Sequence, residues 1–178
     1  MASPLGNGRF HNTHRISAVF PYPPLPDAED VLDSITDCKR IVVLDEVKLR
    51  ENRALITSLA VQNGFDAVLF TEDVQTAYSR YMYRYSNGLL FDIPLGRVRS
   101  WPDDLENVLK ARGFTCVAMA LRKETLELDD PKLKSCERIA LLLGREDTGL
   151  TEEVIDGCDY TVKIPGTCQP RPGTCQPV

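Results

Sequence analysis

Apolar residues occur along this chain in short continuous runs, at 41–44, 67–70, 116–121 (a strand read from Thr115) and 139–143, separated by stretches where they recur at helical spacing. Runs without a polar face are what strands covered on both sides of a parallel sheet look like. Residues 51–63 predict a helix with Leu55, Ile56 and Leu59 inward and Gly64 as its stop. Residues 74–85 are helical in period, 89–93 read as a short strand ended by Pro94, and 102–111 as a helix opened by Trp-Pro-Asp-Asp and closed at Gly113. Strands alternating with helices predict an α/β domain, a mostly parallel five- or six-stranded sheet with helices on both faces. Residues 1–30, rich in Pro, Gly and Asn, read as a flexible leader, 31–165 as the folded domain, and 166–178 as a disordered tail.

The densest stretch is 139–165, IALLLGREDTGLTEEVIDGCDYTVKIP, which packs strand, glycine-bracketed turn, helix and strand into one unit. Gly144 and Gly149 permit positive φ or close approach to a ligand, and Glu146 stands between them beside a sheet crevice. Thr151 is placed to cap a helix whose first turn carries Glu152 and Glu153, the sign that the macrodipole favours there. Two readings stay open at this turn. It is either an ordinary βα connection with a solvated glutamate, or a small-molecule site against Leu143, Gly144 and Ile164.

Composition narrows the partners. With 178 residues, 43% hydrophobic, and a net charge of −5, one core is affordable and global attraction to nucleic acid is not. Any RNA contact needs a local basic patch. No run reaches the ~18 apolar residues of a membrane span and the first residues lack a signal-peptide core, so the expectation is a cytoplasmic protein without a membrane partner. Cys38, Cys116, Cys136 and Cys158 are scattered and read as small apolar groups rather than disulfides. His11 and His14 lack partners at ligand spacing, so no metal site is expected. In 78–85, YSRYMYRY, aromatic rings alternate with Arg80 and Arg84, which suits unpaired RNA. Tyr78, Tyr81, Met82 and Tyr85 share one helical face, which equally suits core packing. The chain ends in a tandem PGTCQP repeat, residues 165–170 and 172–177.

GREDTGL followed by a helix and CDYTVKIP resembles the second motif of the SpoU/TrmH family, RNA ribose 2′-O-methyltransferases of the knotted SPOUT superfamily, usually Gly-Asn-Glu-Gly-x-Gly-Leu ending Ile-Pro-Met. Arg145, Asp147 and Gly166 depart from it. VVLDEVKLRENRALITS resembles the first motif, with Asn52 on its asparagine, Ala54 where glycine is usual and Ser58 where an arginine is usual. RYSNGLLFDIP resembles a further family segment. The resemblance implies an RNA (tRNA or rRNA) 2′-O-methyltransferase-like domain using S-adenosylmethionine, with Asn52 and Glu146 at the catalytic centre. It further implies Leu143, Gly144, Gly149, Ile164 and Pro165 at the cofactor, and Arg84 and Ser86 at the RNA, where Arg80, four residues before Arg84 on the same helix, could meet phosphates with it; family members are usually homodimers. The third motif, whose helix threads the knot and closes the donor pocket, has no counterpart in the repeat. The loss of Ser58's usual arginine and of that helix predicts weak or absent activity and an uncovered apolar sheet face. The alternative is a non-catalytic RNA-binding or protein-interaction module derived from the same fold.

Overall fold

Seven strands, β1 (Arg40–Leu44), β2 (Ala67–Phe70), β3 (Leu95–Arg97), β4 (Thr115–Met119), β5 (Leu126–Glu127), β6 (Ile139–Leu143) and β7 (Tyr160–Lys163), form one sheet in the order β3-β2-β1-β6-β4-β7-β5. Every paired neighbour is parallel. The computed structural model describes residues 24–72, 77–122 and 125–164. The helices are α1 (Ala28–Ser34), α2 (Arg50–Gln62), α3 (Arg80–Tyr85), α4 (Pro131–Lys134) and α5 (Glu152–Gly157), with a wound segment over Leu105–Leu109 and Lys110–Arg112. The sheet thus has seven strands rather than five or six, because β3 and β5, three and two residues long, carry too little apolar sequence to signal themselves.

Register decides which residues share a face. Val42 stands beside Val68 and Leu141, so these three point one way, and Ile41, Val43 and Leu142 the other. Ile41, Val43, Leu69, Ala118 and Leu142 pack with Val31 and Leu32 of α1, Leu105 and Leu109, and Val154 of α5. On the opposite face Val42, Leu44, Val68 and Phe70 pack with Ala54 of α2 and Met82 of α3. Helices cover both faces, but unevenly.

The second face is open over its β6, β4 and β7 half. Phe65, Val117, Leu133, Ile139, Leu141 and Val162 line an apolar hollow of about 280 Å³ there. Ile139, Leu141 and Leu143 are therefore only half-buried, where their unbroken apolar run predicts cover on both sides. Leu55 and Leu59 of α2, expected inward, are 55% and 46% exposed. Among the described residues only α4 stands on the open half of the sheet, through Leu133, which leaves the strand side chains there half-covered.

Element boundaries also differ: the helix expected over 102–111 is wound over Leu105–Leu109 and Lys110–Arg112, and the strand from Thr115 ends at Met119. Residues 89–93 are not a strand: Gly88, at φ +83°, starts a 3₁₀ turn over Leu89–Phe91, closed by Phe91 N–H donating to the Gly88 carbonyl at 3.1 Å. The strand lies beyond Pro94, centred on Gly96, where an added Cβ would stand 2.8 Å from Leu69 Cδ2 and 3.0 Å from Val31 Cγ2. The glycine that hides this strand from a propensity reading is what lets α1 approach it. α3 begins at Arg80, capped by Ser79 accepting from Met82 N–H. The expected leader boundary at residue 30 falls inside α1, which an isolated bridge from Asp27 to Arg97 ties to the sheet edge. No described helix is long and apolar enough to cross a membrane, and no group of potential metal ligands occurs among the described residues.

Candidate active site

The chain leaves β1 for α2 on one face and leaves β6 for α5 on the other, so the loops after these two adjacent strands diverge at the sheet's C-terminal edge. Crevices at such switch points are where open α/β sheets take ligands. The loop after β6 folds back on itself: Arg145 N–H donates to the Gly149 carbonyl at 3.1 Å and Gly149 N–H returns to the Arg145 carbonyl at 2.9 Å. Gly149 sits at φ +71°. At Gly144 the requirement is space, since a Cβ would stand 2.4 Å from Gly149 C and from Leu150 N. Thr151 then caps α5, its hydroxyl accepting from Val154 N–H.

Glu146 reaches from this loop to the loop after β1. One carboxylate oxygen accepts from Leu49 N–H at 3.1 Å and from Asn52 Nδ2 at 2.9 Å, and the other accepts from Lys48 N–H at 3.1 Å. Partial desolvation, the largest single influence, pushes its pKa up, but hydrogen bonds from its own backbone, Asn52, Lys48 and Leu49 together hold it below the ordinary value. Glu146 is therefore an ionised acceptor at neutral pH, a weak base and a good clamp. This fixes the Asn52 amide: because a carboxylate can only accept, Nδ2 must face it and Oδ1 must face away. The two residues singled out as catalytic in the sequence touch each other.

Neighbouring charges brace the same two loops. Arg53 donates to the carbonyls of Val47 and Lys48 and pairs with Glu72 at 3.1 Å, its side chain 12% exposed. Arg145 makes a two-pronged contact with Asp147 at 2.9 Å on each arm and reaches Glu46 at 3.2 Å. Its guanidinium depresses the Asp147 pKa, and Asp147 raises that of Arg145 in return. Asp45, at the end of β1, is buried and accepts from Thr71 Oγ1 at 2.9 Å. Burial raises its pKa against the lowering effects of Thr71 and of the nearby Trp101 indole, although the indole N–H makes no hydrogen bond of ordinary geometry. Asp45, Glu46 and Thr71 are not among the residues expected here from the sequence; an acid directly behind a buried apolar run is the signal that points to them.

The profile of the SpoU rRNA methylase family matches residues 39–170. The chain belongs to the SpoU rRNA methylase family. Two uncharacterized tRNA/rRNA methyltransferases are similar to it: one of Mycobacterium bovis, 31% identical over 157 residues, 88% of this chain and 53% of the relative, and one of Archaeoglobus fulgidus, 30% identical over 136 residues, 76% and 58% respectively. The chain thus spans little more than half the length of these relatives. Among solved structures, the SpoU methyltransferase AviRb of Streptomyces viridochromogenes, in complex with AdoMet, superposes with a TM-score of 0.68 at 24% identity, covering 82% of this chain and 57% of that one. An RNA 2′-O ribose methyltransferase superposes at 0.64 and 22% identity, covering 86% and 53%. Both share the fold.

Against the SpoU pattern, Ser58 and Ala54 are buried on α2, and Arg53 is already committed to two carbonyls and Glu72. Of the residues expected at the cofactor, Leu143 is half-buried, Gly144 and Gly149 shape the folded loop, and Ile164 is 67% exposed. Pro165 lies outside the described residues, as do the repeat tail, both histidines, Cys168 and Cys175. Arg80 and Arg84 are exposed on α3. Ser86 differs from expectation: it is fully buried, its hydroxyl donating to the Tyr83 carbonyl and accepting from Leu90 N–H. It closes the end of α3 and offers RNA no surface. Tyr85 also leaves the expected core face, stacking on Tyr81 at 4.4 Å while 48% exposed. The four described cysteines are free thiols, and burial pushes Cys116 and Cys158 up to about 12, in keeping with apolar packing.

Proposed function

We propose that this chain is the S-adenosylmethionine-binding, RNA-contacting part of a ribose 2′-O-methyltransferase. The observation that carries the reading is the Glu146–Asn52 contact at the C-terminal edge of β1 and β6. It joins the two loops that resemble the family's first and second motifs and aims Asn52 Oδ1 away from the clamp. A free carbonyl oxygen there suits acceptance of a hydrogen bond from a ribose hydroxyl, orienting its oxygen lone pair for attack.

S-adenosylmethionine would supply an electrophilic methyl group. The residues present fit one side of such a molecule: Leu121 and Ile164, each two residues beyond the paired Met119 and Val162, are 69% and 67% exposed at the same strand edge. Since Ala118 pairs with Leu142, register lines them up with Leu143 and the backbone of Gly144 as an apolar lip of the kind a ligand covers. Glu146 acts here as a positioning residue, holding Asn52 and the Lys48–Leu49 backbone. Nothing in the contacts of Ser58 or Arg53 replaces a free arginine beside the reacting oxygen, so transfer by this chain is expected to be slow. RNA is the substrate class in this reading, tRNA or rRNA, and a second copy of the chain its assembly partner.

Ser58 and the engaged Arg53 also favour a second reading, a non-catalytic RNA-binding or protein-interaction module on the same fold. Incubation with methyl-labelled S-adenosylmethionine and total tRNA or rRNA, followed by nucleoside mass spectrometry, separates the two. Label in 2′-O-methylnucleosides supports the first reading, label in a base overturns its ribose specificity, and bound RNA without label favours the second. Sedimentation at micromolar concentration reads the assembly.

A further inference from the structure

The segment 74–91 contains no acidic residue and two arginines, in a chain whose net charge is −5. Among the described residues it also carries the largest concentration of uncovered aromatic surface: Tyr83, Tyr85 and Phe91 are 52%, 48% and 62% exposed. Exposing three large rings on one short helix and turn forgoes burial that a fold would otherwise use. We propose that this surface binds an unpaired nucleotide of RNA, its base stacking on Tyr83 and Phe91 and its flanking phosphates meeting Arg80 and Arg84.

The two rings are held in place before any ligand arrives. Phe91 stacks on half-buried Tyr78, with centroids 6.1 Å apart and planes 10° from parallel. Tyr83 leans on Phe91 at 5.9 Å and 47°. Beneath Tyr83 lies the turn Asn87–Gly88, both residues at positive φ; a Cβ at Gly88 would come within 3.3 Å of Tyr83 Cε2. Glycine there lets the ring rest on backbone. The outer face of the ring is left to solvent, and a preset ring loses little freedom on binding.

Arg80, Tyr83, Arg84 and Asn87 line one hollow of about 480 Å³, large enough for a base. Four residues apart on α3, the two guanidinium groups stand on one side of the helix, and neither has an ion-pair partner among the described residues. The exposed Asn87 amide offers both a donor and an acceptor to a base edge. Aromatic faces read any base, arginines read phosphate, and a duplex, whose bases are stacked inside, presents neither ring with a partner. The patch is also tied to the proposed active site. Tyr81 donates its hydroxyl to Glu51, the neighbour of Asn52 in the first turn of α2, so a strand bound on α3 lies beside the motif-one helix. This inference rests on the RNA reading above and specifies it as a single-stranded segment.

The test is titration of the full chain into a short single-stranded oligoribonucleotide carrying one 2-aminopurine, followed by fluorescence quenching and by anisotropy. Expected is saturable quenching, weakened roughly 5- to 100-fold by Tyr83→Ala and far less by Tyr83→Phe, as stacking predicts. Arg84→Ala should weaken binding and lower the salt slope by about 1. Tyr83 is exposed, so its alanine variant should fold, which circular dichroism checks. Anisotropy that reports tight RNA binding unchanged in Tyr83→Ala, or a duplex bound as tightly as the single strand, would overturn the platform while leaving the methyltransferase reading intact. Intact single-strand binding without methyl transfer would overturn that reading alone. No RNA binding at all overturns both, and a role for Tyr83 only in protein association would then be the outcome.

Discussion

Gly144→Ala is the sharpest perturbation the structure offers. The new methyl would stand 2.4 Å from Gly149 C and Leu150 N and 2.6 Å from the Gly149 carbonyl oxygen, all backbone atoms that no rotamer change can move. The loop must open. Opening gives up the two hydrogen bonds between Arg145 and Gly149, about 1 kcal/mol each, and draws Leu150, 7% exposed, part-way from the core for roughly another 1 kcal/mol. The expected loss is about 2–4 kcal/mol, a large part of the ~5–15 kcal/mol that holds a domain together. Gly149→Ala supplies the internal comparison. Its Cβ would meet nothing within 4 Å and only φ +71° opposes it, so about 1–2 kcal/mol is expected. Urea unfolding of both variants measures the difference. A Gly144→Ala chain within about 0.5 kcal/mol of the parent, or less affected than Gly149→Ala, would refute the close-approach reasoning.

Other expectations follow from the same contacts. A double-mutant cycle of Asn52→Ala and Glu146→Ala should show coupling of about 0.5–1.5 kcal/mol in unfolding experiments, modest because Glu146 is solvent-exposed; additive effects would mean the two loops are not joined through this pair. The Glu146 pKa is lowered on folding, so its contribution should be full above the unfolded carboxyl value near 4.5 and fade as pH falls through the lower folded value, a loss that Glu146→Gln should remove. Asp45 has the opposite sign. Its raised pKa means that ionisation opposes folding, so Asp45→Asn should raise Tm at pH 7 and give no such gain below pH ~3.8, whereas a lower Tm at pH 7 would show its charge to be stabilising. Ser58→Arg alone should leave methyl transfer within about tenfold of the parent, since the donor lip is one-sided; full recovery would show the missing arginine to be the main defect.

Much of this layout was legible in the residues. The runs 67–70 and 139–143 coincide with β2 and β6 because continuous apolar sequence between turn residues has few other uses in an α/β chain. Glu146 and Asn52 were both identified, yet their mutual contact was not, since they are 94 positions apart and only the parallel pairing of β1 with β6 brings their loops together. β3 stayed hidden because its centre is a glycine chosen for helix approach, not for strand propensity. Ser86, placed at the RNA by the family resemblance, is a buried cap, a distinction set by the turn at Asn87–Gly88. Leu55 and Leu59 carried the right period for an inward face, but a period says only that one face is apolar, not which neighbour arrives to cover it.

The most direct measurement is calorimetric titration of the whole chain with S-adenosylmethionine, beside Gly144→Ala. Expected is saturable one-to-one binding, weak because the lip is one-sided, with Kd on the order of 0.1 mM, or about −5.5 kcal/mol, and lost in the glycine variant. A folded parent chain that shows no saturable heat at millimolar ligand, or a Gly144→Ala chain that binds as well as the parent, would contradict the placement of the methyl donor at the C-terminal edge of β6.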